Sequence, residues 1–384
     1  MGCHRLPPAT AISTAGIKLA FFGLLPFALE SSAFVSSSLT TVSWQSATAS
    51  AMSSSEWTPL TDLLHADPSD LCRSSTDAAS PRLAKDEGFA LEVQKIWKEE
   101  VARRHQEEGT VRAVGKQITY QTSEGTPLYG YVARPETATD GSLPGILIFH
   151  TGAGPHDIFL RWKAESLVTN PDIGGCVCLI CDIISDDTGW AWSSDRTKYN
   201  DARTKVFQTA FDGNGKAYRP ELQRRVQAAV DALKDLHFVD STRIGSMGFC
   251  MGGHPCLEIG RMNISGMKAA VTFHGVFDSV AVDQVTEVAR VSGADIPAPA
   301  DRPCCLVCNG QDDPFVKSED LEKCKQIFEN NGWEWNLVQY ERTRHGFTNP
   351  AQDLNPSDAF AFNEDAAWKS WKSACDLLKD KIVN

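Results

Sequence analysis

The sequence is poor in basic residues and has no basic patch. It contains 37 Lys and Arg against 49 Asp and Glu, which gives a net charge of -12 over 384 residues. No stretch interleaves Lys and Arg with aromatic side chains, as nucleic-acid-binding surfaces do. Nucleic acid is therefore excluded as a partner, and the acidic balance is typical of a soluble protein.

An apolar run long enough to cross a membrane is also missing. The apolar segment at residues 17–29 is interrupted by Lys18 and Pro26, and it is shorter than the roughly 20 residues that a span requires. No membrane is expected as a partner of the mature domain. The length of the chain is sufficient for one large domain with extensions, and we expect a monomer.

Acidic residues are absent from residues 31–55, which are dominated by Ser, Thr and Ala. A basic start, an apolar middle and small residues fit a signal peptide, and the segment that follows has a transit-peptide composition, although it lacks Arg and Lys. The junction Ser32-Ala33-Phe34-Val35 resembles the Ala-Phe junction of two-part presequences in algae with secondary plastids. Residues 1–55 are therefore interpreted as a targeting presequence. The resemblance implies plastid import, and the alternative is a secreted or endomembrane protein.

Cysteine is abundant, with 12 residues, but it lacks the spacing of a disulfide framework. Cys305 and Cys308 have the spacing of metal ligands, yet no second pair of this kind follows. Both lie in an apolar run that is typical of a buried parallel strand, where cysteine behaves as a small hydrophobe. We therefore expect structural cysteines rather than a metal site, and no cofactor.

Helical and strand patterns alternate along most of the chain. Residues 56–110 are predicted to be a leader with an amphipathic helix over Arg82–Glu108, and residues 111–384 to be one domain. Such alternation indicates an α/β fold with a mainly parallel sheet and helices on both faces. The predicted strands are Gln117–Gln121, Leu128–Ala133, Gly145–His150, Cys176–Cys181, Arg243–Met247, Ala269–Phe273, Cys305–Asn309 and Glu334–Tyr340. The predicted helices are Phe159–Thr169, Pro220–His237, Lys317–Asn330 and Asn363–Lys381.

The run Gly248-Phe249-Cys250-Met251-Gly252 has the form of a nucleophile elbow. In such a turn a strand passes sharply into a helix, and the central residue is held in a strained conformation. The residues two before and two after it must be small, which Gly248 and Gly252 satisfy. Cys250 would then sit at the start of a helix, where the positive helix end favours a thiolate. The alternative interpretation is a glycine-rich turn with a buried cysteine.

Chemically active side chains follow several of the predicted strands. Asp312 and Asp313 come after one strand, His345 follows the last, and a glycine-rich turn begins at Thr151. Because ligands bind beyond the carboxyl ends of parallel strands, these residues are predicted to meet at one sheet edge. The chain order of nucleophile, acid and histidine is that of the α/β-hydrolases.

These motifs resemble the dienelactone hydrolase family. The resemblance rests on Gly-Phe-Cys-Met-Gly-Gly at 248–253, Gly-Gln-Asp-Asp-Pro-Phe-Val at 310–316 and His-Gly-Phe at 345–347, with weaker likeness over residues 117–380. It implies an α/β-hydrolase fold with an eight-stranded sheet for residues 111–384. It also implies that Cys250 is the nucleophile, Asp313 the acid and His345 the base, with Asp312 as the second choice for the acid.

The sequence departs from this family at two points. Members that open dienelactones carry a glutamate after the first central strand, where this chain has Thr151. They also bind a substrate carboxylate through arginines, one of them shortly after the catalytic histidine, and this chain has no arginine after Arg344. Arg161 and Arg203 are possible substitutes.

The expected function is cysteine-dependent hydrolysis of a small ester or lactone. The alternatives are a general carboxylesterase or thioesterase, a non-catalytic hydrolase-like binding protein, and a thiol-based redox sensor. The backbone N–H groups of Met251 and of Gly152, or of Thr151 in place of Gly152, are predicted to form the oxyanion hole. The candidate pocket residues are His150, Thr151, His274, Arg161 and Trp192, to which His156, Asp157 and Trp190 add weaker candidates.

Overall fold

The computed structural model describes residues 58–59, 111–187, 189–190, 196–284, 302–355 and 357–384. The predicted presequence and the predicted helix over Arg82–Glu108 lie outside these residues, so both stay predictions.

A mainly parallel sheet forms the centre of the described domain. Its strands are β1 (Thr58–Pro59), β2 (Ala113–Gln121), β3 (Pro127–Pro135), β4 (Leu143–Phe149), β5 (Val177–Cys181), β8 (Val239–Phe249), β9 (Met267–Phe273), β10 (Cys304–Gly310) and β11 (Glu334–Tyr340). Their order across the sheet is β1-β2-β3-β5-β4-β8-β9-β10-β11. The run from β5 to β11 is parallel, and β1, β2 and β3 pair antiparallel at one edge. The eight expected strands are all present, and the two-residue β1 extends the edge.

The central strands are short and apolar because both of their faces are covered. Every residue of β5 and β10 is buried, so neither strand shows the alternation of a half-exposed strand. One face of the sheet packs against α3 (Pro220–Lys234), α4 (Gly253–Met262) and α5 (Ser318–Asn330). The other packs against α1 (Ile158–Val168) and α6 (Glu364–Leu378). This three-layer arrangement leaves the strand ends as the place for a site.

The cysteines of β10 belong to two different cores. Cys305 packs in the core under α3–α5, whereas Cys308 packs in the core under α1 and α6. Side chains three residues apart on a strand point to opposite faces, so these two thiols cannot bind one metal ion. Burial raises the pKa of Cys308 to about 12, as is typical of a structural thiol.

Most predicted elements agree with the structure to within a few residues, but some elements had no sequence prediction. The helix α2 (Thr197–Val206) and the small hairpin of β6 (Ala210–Phe211) and β7 (Ala217–Tyr218) lie between the predicted strand Cys176–Cys181 and the predicted helix Pro220–His237, where no element was predicted. In α2 the one residue described as buried is Val206, so the helix lacks an apolar stripe to reveal it. Within the described residues, no helix has the length and apolarity that a membrane crossing needs.

Candidate active site

The turn after β8 brings Cys250 into a conformation that few residues adopt. Its φ is 53°, in the left-handed region that costs a non-glycine residue free energy. A Cβ at Gly248 would lie 2.0 Å from the carbonyl oxygen of Gly252, and one at Gly252 would lie 2.6 Å from that of Phe149. The two glycines are therefore required by backbone contacts, which is the geometry that the elbow motif predicts.

The backbone around Cys250 is held from two sides. The N–H of Val276 donates to the carbonyl oxygen of Cys250 at 2.8 Å, which fixes the turn to the segment after β9. Residues Cys250–Gly252 form a 3-10 turn that continues directly into α4. The half-buried thiol thus sits at the positive end of a helix, where a thiolate is stabilised.

The carboxylate beside the histidine belongs to Asp313. Its Oδ2 accepts a hydrogen bond from His345 Nδ1 at 2.8 Å, and its Oδ1 accepts one from the Phe315 N–H at 2.9 Å. Asp312 is exposed, and its N–H donates to the Thr343 carbonyl oxygen at 3.0 Å. That backbone bond joins the acid loop to the histidine loop, so Asp312 supports the arrangement without facing His345.

His345 lies between the acid and the thiol. It is buried, and its ring is hydrogen-bonded to both Asp313 and Cys250. Burial by itself lowers the pKa of this imidazole, but the charge of Cys250 and the hydrogen bonds to Asp313 and Cys250 outweigh it and raise the pKa to about 10. The positive form of the imidazole is therefore favoured.

The two predicted oxyanion donors follow neighbouring parallel strands. Phe149 of β4 pairs in register with Gly248 of β8. Gly152 lies three residues beyond Phe149, and Met251 lies three residues beyond Gly248. Trp190 fixes the turn that carries Gly152, because its Nε1–H donates to the Ala153 carbonyl oxygen at 3.1 Å. The two turns therefore emerge side by side next to Cys250.

A small pocket opens above the thiol. Its enclosed volume is only about 20 Å³, and it reaches about 320 Å³ when the open solvent at its mouth is included. The described residues that line it are Thr151, Asp157, Phe159, Cys250, His274, His345, Gly346, Asn349, Gln352 and Phe360. Thr151, which replaces the family's glutamate, accepts a hydrogen bond from the Ala153 N–H through its Oγ1 at 3.1 Å. It thereby stabilises its own turn.

The candidate pocket residues separate into several groups. Thr151 and His274 line the pocket, whereas His150 lies beneath it: its Nδ1–H donates to the Thr151 carbonyl oxygen at 2.6 Å and its Nε2 accepts from Ile183 N–H at 3.2 Å. The assignment of His150 to the pocket is corrected accordingly, because both ring nitrogens serve the backbone. Arg161 is not among the described lining residues and lies 4.7 Å from the Tyr131 ring centroid. Trp192 lies outside the described residues.

Arg203 on α2 lies near Cys250, and Arg196, directly before α2, lies near Gly152. Arg203 is ion-paired with Asp278, which also contacts His254. Arg196 packs over the Tyr199 ring at 3.9 Å, and a Cβ on Gly152 would lie 3.2 Å from the Arg196 Nη2. Sequence reasoning named Arg203 and missed Arg196, because α2 shows no helical signal that would bring it to the oxyanion turn.

Phe315 and Phe360 were not predicted to contact His345. Their rings lie 4.9 Å and 5.3 Å from the His345 ring, both edge-to-face. Phe315 lies inside the Gly-Gln-Asp-Asp-Pro-Phe-Val motif, which provided a signal for it. Phe360 lies in an irregular segment with none. Among the described residues no group of three His, Cys, Asp or Glu side chains is arranged to hold a metal ion.

A comparison with models of known protein families finds a match over most of the described domain. The model of the dienelactone hydrolase family matches residues 128–382, which is well over half of the chain. The chain belongs to the dienelactone hydrolase family. Its fold is accordingly that of the α/β-hydrolases, and its family is one of hydrolases.

Relatives of this family member are distant. An uncharacterised protein of Caenorhabditis elegans is 25% identical over 172 residues, covering 45% of this chain and 98% of the relative. A putative carboxymethylenebutenolidase of Aquifex aeolicus is 20% identical over 275 residues, covering 69% of this chain and 98% of the relative. A dienelactone hydrolase-like promiscuous phosphotriesterase from metagenomic libraries has a TM-score of 0.54 at 24% identity, covering 71% of this chain and 99% of its own, which is a likeness of fold.

Proposed function

We propose that this protein is a cysteine-dependent hydrolase of small esters or lactones. The observation that carries the proposal is the placement of His345 between Asp313 and Cys250, with the pKa of the imidazole raised to about 10. A thiolate is a far stronger nucleophile than a thiol, and the paired imidazolium is an acid ready for a leaving group. The pairing of Cys250 and His345 thus supports the two groups that acyl transfer needs, a nucleophile and an acid.

In the first half of the reaction the Cys250 sulfur adds to the carbonyl carbon of the substrate. The N–H groups of Met251 and Gly152 stabilise the oxyanion, and one such donor is typically worth about 3 kcal/mol. The carbon–oxygen bond then breaks, and the leaving oxygen takes the proton from His345 Nε2. A thioester on Cys250 remains; with a lactone, the released alcohol is still attached to the acyl group.

In the second half water replaces the alcohol. Neutral His345 accepts a proton from the water as its oxygen adds to the thioester carbon. The carbon–sulfur bond breaks, the acid is released, and the pair of thiolate and imidazolium is restored. Asp313 stays ionised and holds the ring with Nδ1 protonated, so that Nε2 faces the reaction.

The narrow pocket above Cys250 supports a small substrate, and two observations bear on its acyl group. The name of the Aquifex aeolicus relative favours a lactone. Thr151 in place of the family's glutamate favours instead a general carboxylesterase or thioesterase. The complete arrangement of Cys250, Asp313 and His345 argues against a non-catalytic binding protein.

A turnover screen distinguishes these possibilities. Neutral lactones, short aryl esters, thioesters and a carboxylate-bearing lactone would be offered to the wild type and to Cys250→Ala and His345→Ala. We expect both variants to lose at least about a thousandfold in kcat, because each removes a member of one catalytic unit.

Cys375→Ala is the matched control, since Cys375 is a buried cysteine on α6. It should retain wild-type turnover. Turnover that survives Cys250→Ala would contradict the proposed nucleophile, and activity on neutral esters alone would identify the enzyme as a general esterase.

A further inference from the structure

A second histidine adjoins the catalytic one. His274 follows β9 directly, is 2% exposed and has a φ of 40°, in the left-handed region. Its N–H donates to the Cys308 carbonyl oxygen at 2.8 Å. A strained backbone at a buried residue persists when the surroundings enforce it, and such residues gather at functional sites. The backbone here places the His274 imidazole next to that of His345.

The His274 ring contacts both His345 and the loop that carries it. The centroids of the two imidazoles are 4.9 Å apart in an edge-to-face arrangement. His274 Nε2 lies 2.9 Å from Thr348 Oγ1, and Thr348 is buried three residues beyond His345. His274 therefore fixes the catalytic ring directly and fixes its loop through one hydrogen bond.

The His345 ring is enclosed by aromatic rings on several sides. Phe315 and Phe360 approach it edge-to-face, as His274 does. Phe315 is 41% exposed, so its side of the enclosure faces solvent. His274 forms the buried side of the enclosure. Its side chain also hydrogen-bonds to Thr348, in the loop that carries His345.

The charges around His274 keep it neutral. The titratable groups that face it are His345, Cys250 and Asp157 in the pocket and Lys163 on α1. Burial and the positive charge of His345, with a smaller effect from Lys163, hold the pKa of His274 well below its usual range. A neutral ring at this place can pack against an imidazolium, whereas a second cation would repel it.

We propose that His274 is a positioning residue which, through its bond to Thr348, holds the His345 ring against Cys250. This inference rests on the catalytic pairing of Cys250 and His345 proposed above. Loss of the bond would allow the loop at 345–349 to move and would weaken the thiolate–imidazolium pair. Cys250 would then be alkylated more slowly near neutral pH, while the fold of the sheet would be retained.

The test is the pH dependence of Cys250 alkylation by iodoacetamide, followed by mass spectrometry between pH 5.5 and 10. The proposed pairing of Cys250 with His345 predicts that wild-type Cys250 is alkylated even at low pH. In Thr348→Val we expect the rate at pH 6 to fall at least about tenfold, with the rate at pH 10 unchanged because the thiol then ionises unaided. The same variant should lower kcat several-fold with little change in KM.

Three further variants make the result specific. Thr348→Ser retains the hydroxyl and should restore the wild-type profile. His274→Asn, in which asparagine tolerates a positive φ, should shift the profile as Thr348→Val does. Thr272→Val changes another buried threonine, on β9, and it should match the wild type.

Each other outcome overturns the inference. A Thr348→Val profile that superimposes on the wild type would show that the bond does no positioning. An equal shift in Thr272→Val would identify a general loss of packing. A wild-type Cys250 that reacts only as an ordinary thiol would leave no pair to position. If Cys250→Ala keeps turnover, the proposed hydrolase mechanism fails separately, because the alkylation profile needs no substrate.

Discussion

Two buried histidines near Cys250 each contact an aspartate, yet their pKa values move in opposite directions. His345 contacts Asp313, and its pKa rises to about 10. His254, one turn of α4 beyond the nucleophile, contacts Asp278, and its pKa falls to about 3. Burial lowers the pKa in both cases, so neither burial nor a carboxylate explains the difference.

The third group at each site decides the outcome. His345 is hydrogen-bonded to Cys250, and the charge of Cys250 raises the pKa of the His345 ring. His254 accepts a hydrogen bond from Arg219 at its Nδ1 over 2.6 Å, and Arg219 favours a neutral ring. A buried His–Asp contact is thus not in itself a catalytic unit. The charge of the residue next to the other ring nitrogen separates a histidine with a raised pKa from one with a lowered pKa.

The largest effect that tests this comparison is on turnover. Asp313→Asn should lower kcat by about 10³-fold or more, because an amide stabilises neither the imidazolium nor the correct tautomer. Asp278→Asn should lower kcat by less than about tenfold, since it only releases Arg203 and His254. Exposed Asp312 provides the control, and Asp312→Asn should leave kcat unchanged. Steady-state kinetics on one ester would measure all three, and a severe loss in Asp312→Asn alone would reverse the assignment of the acid.

The next effect is a contrast between thiols. At pH 7 Cys250 should be alkylated at least about a hundredfold faster than Cys256, which lies two residues beyond His254. Cys256 is buried, and burial raises its pKa to about 12. Peptide mass spectrometry after a short exposure to iodoacetamide gives both rates, and denatured protein shows that Cys256 can react. Equal labelling in the folded protein would remove the distinction between the two environments.

The smallest effect is on stability in acid. Because the pKa of His254 is depressed, the unfolded chain binds a proton that the folded chain refuses between about pH 6.5 and 3. The free energy of unfolding therefore falls as the pH falls through this window, by at most about 1.4 kcal/mol per pH unit for one group. His254→Gln should flatten this dependence in denaturant titrations at pH 7 and pH 4. An unchanged slope would show that His254 is not the group that titrates.

The sequence predicted the parts of the site that follow from strand ends. Cys250, Asp313 and His345 each follow a strand whose apolar run is clear, and parallel strands place their carboxyl ends at one edge. The glycines of the elbow were predictable for a similar reason, since a local motif dictates them. The central sheet and the two helical layers follow from the same alternation of patterns.

Other parts of the site depend on contacts that no local pattern encodes. His150 was expected in the pocket because it ends β4, but its ring turns inward to bond the backbone of Ile183. The Arg196 side chain lies next to Gly152. Arg196 directly precedes α2, a helix with a single described buried side chain. Phe360 meets His345 because the chain at Ala359 and Ala361 hydrogen-bonds the backbone of His345. Each of these contacts is set by tertiary packing.

The elbow owes its shape to atoms that are not involved in the chemistry. The turn is defined by Gly248, Gly252, the Phe149 carbonyl oxygen and the Val276 N–H. None of these contacts involves the Cys250 sulfur. Codons for cysteine and serine differ by a single nucleotide. One point mutation would therefore put a hydroxyl in the same turn in place of the Cys250 thiol. Evolution can exchange the reacting element here without rebuilding the scaffold.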